Sequence, residues 1–201
     1  MKRCLIFMVV LITMTVFTLS AQGFNLGIKG AIGDYSLTGD DWDEFKEMGG
    51  LDNEFSLSYS IGLLAELSFS KSIAVQPELL YTPASIRWGN GTDWAKESWR
   101  LLEIPLYFKI KSPFSAGGLF VMAGPELTYI LDDIEIEDNS GATATRVKDN
   151  EVLYGIAAAV GVELQNSACV DIRYSRVFNE TTEEVTMFPW AILLEFSFLL
   201  F

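Results

Sequence analysis

Seven carboxylates and two cations stand inside otherwise apolar stretches of this 201-residue chain: Glu66, Glu78, Glu103, Lys109, Glu126, Glu163, Asp171, Arg173 and Glu195. Gathered into one enclosed space, such groups have two chemical uses. Carboxylates left without counter-charge would line a proton- or cation-selective path. The same carboxylates bridged by Lys109 and Arg173 would form a hydrogen-bonded polar plug. Acids exceed bases seven to two in this set, so all of them cannot stay ionised without water or partners.

Catalysis is not expected. The chain contains no histidine, which excludes Ser-His-Asp and Cys-His arrangements and any His-ligated metal site. Asn139-Ser140-Gly141 and Gly89-Asn90-Gly91 read as turns, and no catalytic residue or cofactor is assigned. Two acidic clusters, Asp40, Asp41, Asp43 and Glu44, and Asp132, Asp133, Glu135, Glu137 and Asp138, offer oxygen ligands. Their spacing does not fit an EF-hand loop, so the reading is solvated surface acid and no metal site. Divalent bridging to lipopolysaccharide phosphates is the alternative.

The elements that position these groups begin after a distinct leader. Lys2 and Arg3 form a basic head, residues 5–16 are almost wholly apolar, and Ser20-Ala21-Gln22 closes the segment. This is the layout of a secretory signal peptide cleaved after Ala21, leaving residues 22–201 as the mature domain. A membrane anchor is the alternative; the run is short for one and lacks basic residues on its far side. Cys4 precedes the apolar run and falls in the removed segment, so only Cys169 remains and no internal disulfide is possible.

The formal charge is −13, or −15 once Lys2 and Arg3 are lost, which makes nucleic acid a poor partner. Yet half the residues are hydrophobic and the mean hydropathy is +0.26, with acids outnumbering bases 27 to 14. Acidity and apolarity coexist if the acids occupy loops and a lumen while apolar side chains face lipid.

Periodicity supports this. No segment after the leader keeps a helical period; a two-residue alternation recurs instead. In residues 55–69 the odd positions are Phe55, Leu57, Tyr59, Ile61, Leu63, Ala65, Leu67 and Phe69, while the even positions are mostly Ser and Gly with Glu66. One strand face is therefore greasy and the other small or polar. A soluble sandwich would carry long charged residues on the second face. Similar segments span residues 24–37, 73–86, 99–111, 119–131, 152–164, 168–178 and 190–201, giving eight strands, an even number. Short connections (70–72, 112–117, 166–167) alternate with long, mostly acidic ones (38–54, 87–98, 132–151, 179–186). This predicts an all-β, eight-stranded antiparallel up-and-down transmembrane β-barrel. Its interior is just wide enough for side chains, which favours the plug over an open pore. Trp88, Trp99 and Trp190 are expected in an aromatic girdle; Trp42 and Trp94, deeper in loops, are free to meet a partner. Pro77, Pro83, Pro105, Pro125 and Pro189 predict bulges or strand ends.

Four strings carry a family resemblance. Leu101-Leu102-Glu103-Ile104-Pro105-Leu106-Tyr107-Phe108-Lys109, the Ala123-Gly124-Pro125 core of residues 118–127, the glycine-spaced residues 155–164, and Asp171-Ile172-Arg173-Tyr174-Ser175 occur in that order. Together they resemble the PorT-like outer-membrane β-barrel proteins over nearly the whole mature chain. The resemblance implies an outer-membrane location and an accessory role in secretion or surface assembly. A terminal Phe201 would serve recognition by the barrel-assembly machinery, although its parity is opposite to that of Phe196 and Phe198. The expected function is non-enzymatic, in membrane structure, surface interaction or assembly. Outer-membrane lipid and lipopolysaccharide are the surroundings, and the surface partner is unknown. The alternatives are a narrow cation or proton channel and a soluble periplasmic lipocalin-like barrel.

Overall fold

The computed structural model describes residues 23–50, 52–114, 117–146, 152–164, 167–179 and 188–200. The expected signal peptide and the side chain of Phe201 lie outside these residues. Eleven strands and one helix follow in order: β1 (Gly23–Thr38), α1 (Asp40–Gly49), β2 (Asp52–Glu54), β3 (Leu57–Ser68), β4 (Ile73–Gly89), β5 (Trp94–Phe114), β6 (Gly117–Ile130), β7 (Ile134–Asp138), β8 (Thr143–Arg146), β9 (Val152–Leu164), β10 (Ala168–Val177) and β11 (Phe188–Leu199).

Eight of these form a closed antiparallel ring, β1-β3-β4-β5-β6-β9-β10-β11, with β1 pairing back onto β11 and β4 onto β5. Closure leaves no edge, so each strand finds its backbone partners in its neighbours, as a chain surrounded by lipid requires. Alternation along the strands sorts the side chains. Ile61, Phe108, Leu119, Ile172 and Phe196 point outward and are 50–63 % exposed, whereas Glu66, Lys109, Arg173 and Glu195 point inward and are at most 2 % exposed. A continuous apolar exterior around a charged interior is the inverse of a water-soluble domain.

Pro189 lies at a strand end, as the second residue of β11, whereas Pro77, Pro105 and Pro125 interrupt pairing inside strands without the expected bulge or shift of register. Pairing of β4 with β5 lapses between Pro77–Leu106 and Leu80–Glu103 and resumes in the same register. β5 and β6 behave alike around Pro125, between Pro105–Glu126 and Phe108–Ala123. A missing N–H removes one rung, while the neighbouring rungs and the alternation keep the strands aligned.

The long connections are not plain loops. β4 and β5, at 17 and 21 residues, exceed the roughly 9–11 residues that cross a bilayer. Their surplus forms a hairpin beyond the ring, to which β2 adds on one side and β7 and β8 on the other, making a five-stranded platform in the order β2-β4-β5-β7-β8. Two turns are tied together at its tip: the Asn139 side chain donates to the Thr92 carbonyl at 3.3 Å and to Asp93 at 3.2 Å. Asp138 accepts the Ser140 hydroxyl at 2.6 Å and the Ser140 and Ala142 amides. The Ser140 bonds hold its carboxyl below the usual carboxylate range.

Gly124 fits the ring where β5 and β6 approach closely, since a Cβ there would meet the carbonyl oxygen of Leu106. Gly124→Val is therefore expected to cost about 2–4 kcal/mol, read as a lower urea midpoint for the folded barrel in micelles; an unchanged midpoint would contradict the close approach.

Candidate functional site

Every strand of the ring contributes a charged side chain to the lumen: Lys29 from β1, Glu66 from β3, Glu78 from β4, Glu103, Lys109 and Lys111 from β5, Glu126 from β6, Glu163 from β9, Asp171 and Arg173 from β10, and Glu195 from β11. The nine groups expected from the sequence are brought together. Lys29 and Lys111 complete the set, so the imbalance is seven acids to four bases and not seven to two. Lys29 follows the parity of its neighbours, with Ile28 outward and Lys29 buried. The alternation that places Lys29 is present in residues 24–37 but is masked in the sequence by Gly27, Gly30 and Gly33.

The contacts form one connected chain along the barrel. Near the long-connection end, Arg173 reaches Glu126 at 2.7 Å, Glu103 at 3.2 Å and Glu195 at 3.5 Å. Tyr35 and Thr82 donate to Glu103 at 2.9 and 2.8 Å. At mid-depth Lys29 bridges Glu78 at 2.7 Å and Glu195 at 2.9 Å. Gln76 donates to Glu78 at 2.6 Å and accepts from Lys109 at 3.0 Å. Towards the short turns Lys109 and Lys111 hold the two oxygens of Glu66 at 2.8 and 2.6 Å, with Glu163 3.7 Å from both. Glu163 stands apart as the group nearest the rim, its side chain a quarter exposed.

Asp171 and Glu195 are cross-strand partners. Asp171 Oδ1, Glu78 Oε2, Arg173 Nε and Tyr107 OH make no hydrogen bond within the described residues.

Apolar packing closes the lumen above this network. Tyr35, Leu37, Ile86, Trp99, Leu101, Ile130, Leu153 and Leu193 form a buried cluster at the long-connection mouth, and Trp42 of α1 seals it. A cavity lined in part by Tyr35, Trp99, Glu103 and Glu126 has a volume of only about 20 Å³, room for about one water. On the side towards the short turns, Phe120, Met122, Ala157 and Cys169 pack beside Tyr107.

The tryptophans correct the girdle expectation. Trp99 shares the inward parity of Leu101 and Glu103 and is 4 % exposed. Trp88 turns inward too, packing edge-on against Trp42 with ring centroids 6.0 Å apart. Trp42 itself is buried and is not free for a partner. Their strands continue past the barrel, so these rings lie over its mouth instead of at a lipid boundary. Trp94 stacks beneath the Arg87 guanidinium at 4.5 Å. Of the three expected girdle residues Trp190 alone faces outward, 6.2 Å from Tyr174. Outward tyrosines complete the ring at this end: Tyr59, Tyr81, Tyr129, Tyr154 and Tyr174. Tyrosine suits a boundary where an apolar ring body meets a wet hydroxyl.

The acids considered for calcium are dispersed, Asp40, Asp41, Asp43 and Glu44 on α1 and Glu135 to Asp138 along β7. Among the described residues no group of three or more potential ligands converges.

Arg173 is the hub, so Arg173→Met is expected to cost about 3–5 kcal/mol by stranding Glu103 and Glu126. The triple variant Arg173→Met/Glu103→Gln/Glu126→Gln is expected to recover at least half of that loss. Urea unfolding in micelles measures both; a single variant as stable as the parent would show that the network holds nothing together.

A family description, outer membrane protein beta-barrel domain, matches residues 20–183. No curated protein matches the sequence. Among solved structures, the outer membrane enzyme PagL aligns with TM-score 0.53 at 15 % identity, covering 86 % of this chain and 98 % of PagL. Neisserial surface protein A aligns with TM-score 0.48 at 9 % identity, covering 89 % and 97 %. The attachment invasion locus protein Ail of Yersinia pestis, in complex with the heparin analogue sucrose octasulfate, aligns with TM-score 0.40 at 9 % identity, covering 87 % and 97 %. With its closed ring of eight antiparallel strands and apolar exterior, this chain belongs to the outer membrane protein beta-barrel domain family and is a small barrel of the bacterial outer membrane.

Proposed function

We propose that this protein works without catalysis, as a closed outer-membrane barrel that presents a folded platform for surface interaction. The observation that carries this reading is the continuation of β4 and β5 beyond the ring into a sheet completed by β2, β7 and β8. Strand length past the bilayer adds nothing to membrane anchoring. It does hold Glu135, Glu137 and the Asn90–Asp93 and Asp138–Gly141 turns on a rigid support. Rigid display of polar groups is what a recognition surface needs.

Outer-membrane barrels turn their long connections outward and their short turns to the periplasm. The platform then faces the exterior, with Asp132, Asp133, Glu135 and Glu137 exposed or half-buried on it. Its partner would be a basic or divalent-bridged surface, since like charge repels acidic ones. The PorT-like strings narrow the proposal to an accessory role in secretion or surface assembly, with the platform as the docking element.

A narrow cation or proton channel is the second reading, favoured by the seven inward carboxylates. Against it stand the ion pairs that span the lumen and the apolar layer above them. In a planar bilayer the protein is expected to give no steady openings; cation-selective openings lost in Glu126→Gln would establish the channel instead.

Orientation is tested by cysteine labelling, which exploits the burial of Cys169, 3 % exposed. Asn139→Cys on the platform tip is expected to react with a membrane-impermeant maleimide on intact cells. Lys71→Cys in a short turn is expected to react only after the outer membrane is permeabilised. The reverse pattern would place the platform in the periplasm and overturn a surface role.

A further inference from the structure

The lipid-facing wall is not uniform. A recess of about 570 Å³ lies on the outer face of β5, β6, β9, β10 and β11, within the range of roughly 300–1,000 Å³ typical of small-ligand sites. Register explains it. Phe108, Ala123, Ala158, Tyr174 and Ile192 are successive cross-strand partners along one row. The two alanines make a floor where the neighbouring outward rows carry Val121 with Val160, and Pro125 with Ile156. Phe108 and Tyr174 are its walls.

One cation overlooks this recess. Arg176 is the next outward residue beyond Tyr174 on β10, about 7 Å further along the strand, and it is exposed. It pairs in register with Trp190 on one side and Ile156 on the other. The outward positions of β9, β10 and β11 hold no carboxylate among the described residues, and Arg176 has no ion-pair partner there. The nearest outward acid on β1, Asp34, is engaged by Ser36 and by the Ser56 amide. In so acidic a protein, an arginine with no ion-pair partner among the described residues, beside Tyr174 and Trp190 at the boundary level, is placed for an anion arriving from the membrane.

We propose that this recess and Arg176 together bind an anionic, phosphate-bearing membrane lipid. The acyl chain lies over Ala123 and Ala158, and the headgroup phosphate accepts hydrogen bonds from the Arg176 guanidinium. The recess opens into the bilayer, so its occupant is a hydrocarbon chain and not a soluble molecule. Arginine, with its planar fork, is suited to phosphate oxygens. The site would fix which lipid borders the barrel below the platform.

The test is native mass spectrometry of the full barrel released from detergent, offered equimolar dioleoyl phosphatidic acid and dioleoyl phosphatidylcholine. The protein is expected to retain phosphatidic acid about fivefold over phosphatidylcholine, the equivalent of one interfacial cation. Arg176→Gln is expected to bring the ratio close to one, Arg176→Lys to keep most of it, and Ala158→Phe to lower retention of both lipids. Lys71→Gln, at the short-turn end, is expected to change nothing. Equal retention by the unmodified protein, or a preference that survives Arg176→Gln, would overturn the headgroup contact. Undiminished retention in Ala158→Phe would overturn the chain site. Displacement of phosphatidic acid by inorganic phosphate alone would reduce the site to an ion contact and also overturn the lipid assignment. The strand variants change outward side chains and Lys71→Gln an exposed turn residue, and the boiled-versus-unboiled gel shift verifies that the barrel is intact.

Discussion

A peptide group that crosses hydrocarbon has no water to bond with, so the pairings of β4 with β5 and of β1 with β11 that close the ring are what the remaining structure depends on. Closure fixes which way each side chain faces. Ile28 must meet lipid because Lys29 meets the lumen, and Ile172 because Arg173 does. It also explains why interior prolines are tolerated. Around Pro77 and Pro125 a rung is lost, but strands held on both sides in one register have no cheaper arrangement to slip into.

The narrow interior then imposes its own requirement. Charges placed there lose water on every side, and only mutual contact makes them tolerable. The network answers with cations between carboxylates: Arg173 among Glu103, Glu126 and Glu195, Lys29 between Glu78 and Glu195, Lys109 and Lys111 on Glu66. Since each strand supplies at least one member, the network ties the wall together across its diameter, where ladder hydrogen bonds act only between neighbours. The apolar cluster under Trp42 adds a second closure by a different force, burial of apolar area. A barrel filled in this way has its free chemistry outside: on the platform, and along the lipid-facing wall where Arg176 stands over a recess.

Local covalent order determined much of this protein. Side chains alternate across a strand whatever its neighbours are, so the greasy face of Ile61 and Leu63, the inward parity of Glu103 and Lys109, and the count of eight spanning strands were legible from residue types alone. Short and long connections likewise sorted the two ends. What no local pattern could decide is how far a strand continues and which segments meet. Alternation alone puts Trp88 and Trp99 at a lipid boundary, because it holds no sign that their strands run on past the membrane. The structure carries β4 and β5 onward, pairs them with β2 and β7, and folds both rings over the mouth beside Trp42. The same holds for Lys29 between Glu78 and Glu195, partners 49 and 166 residues away. Alternation is set by the backbone of one strand, whereas contact between distant side chains exists only once the ring has closed.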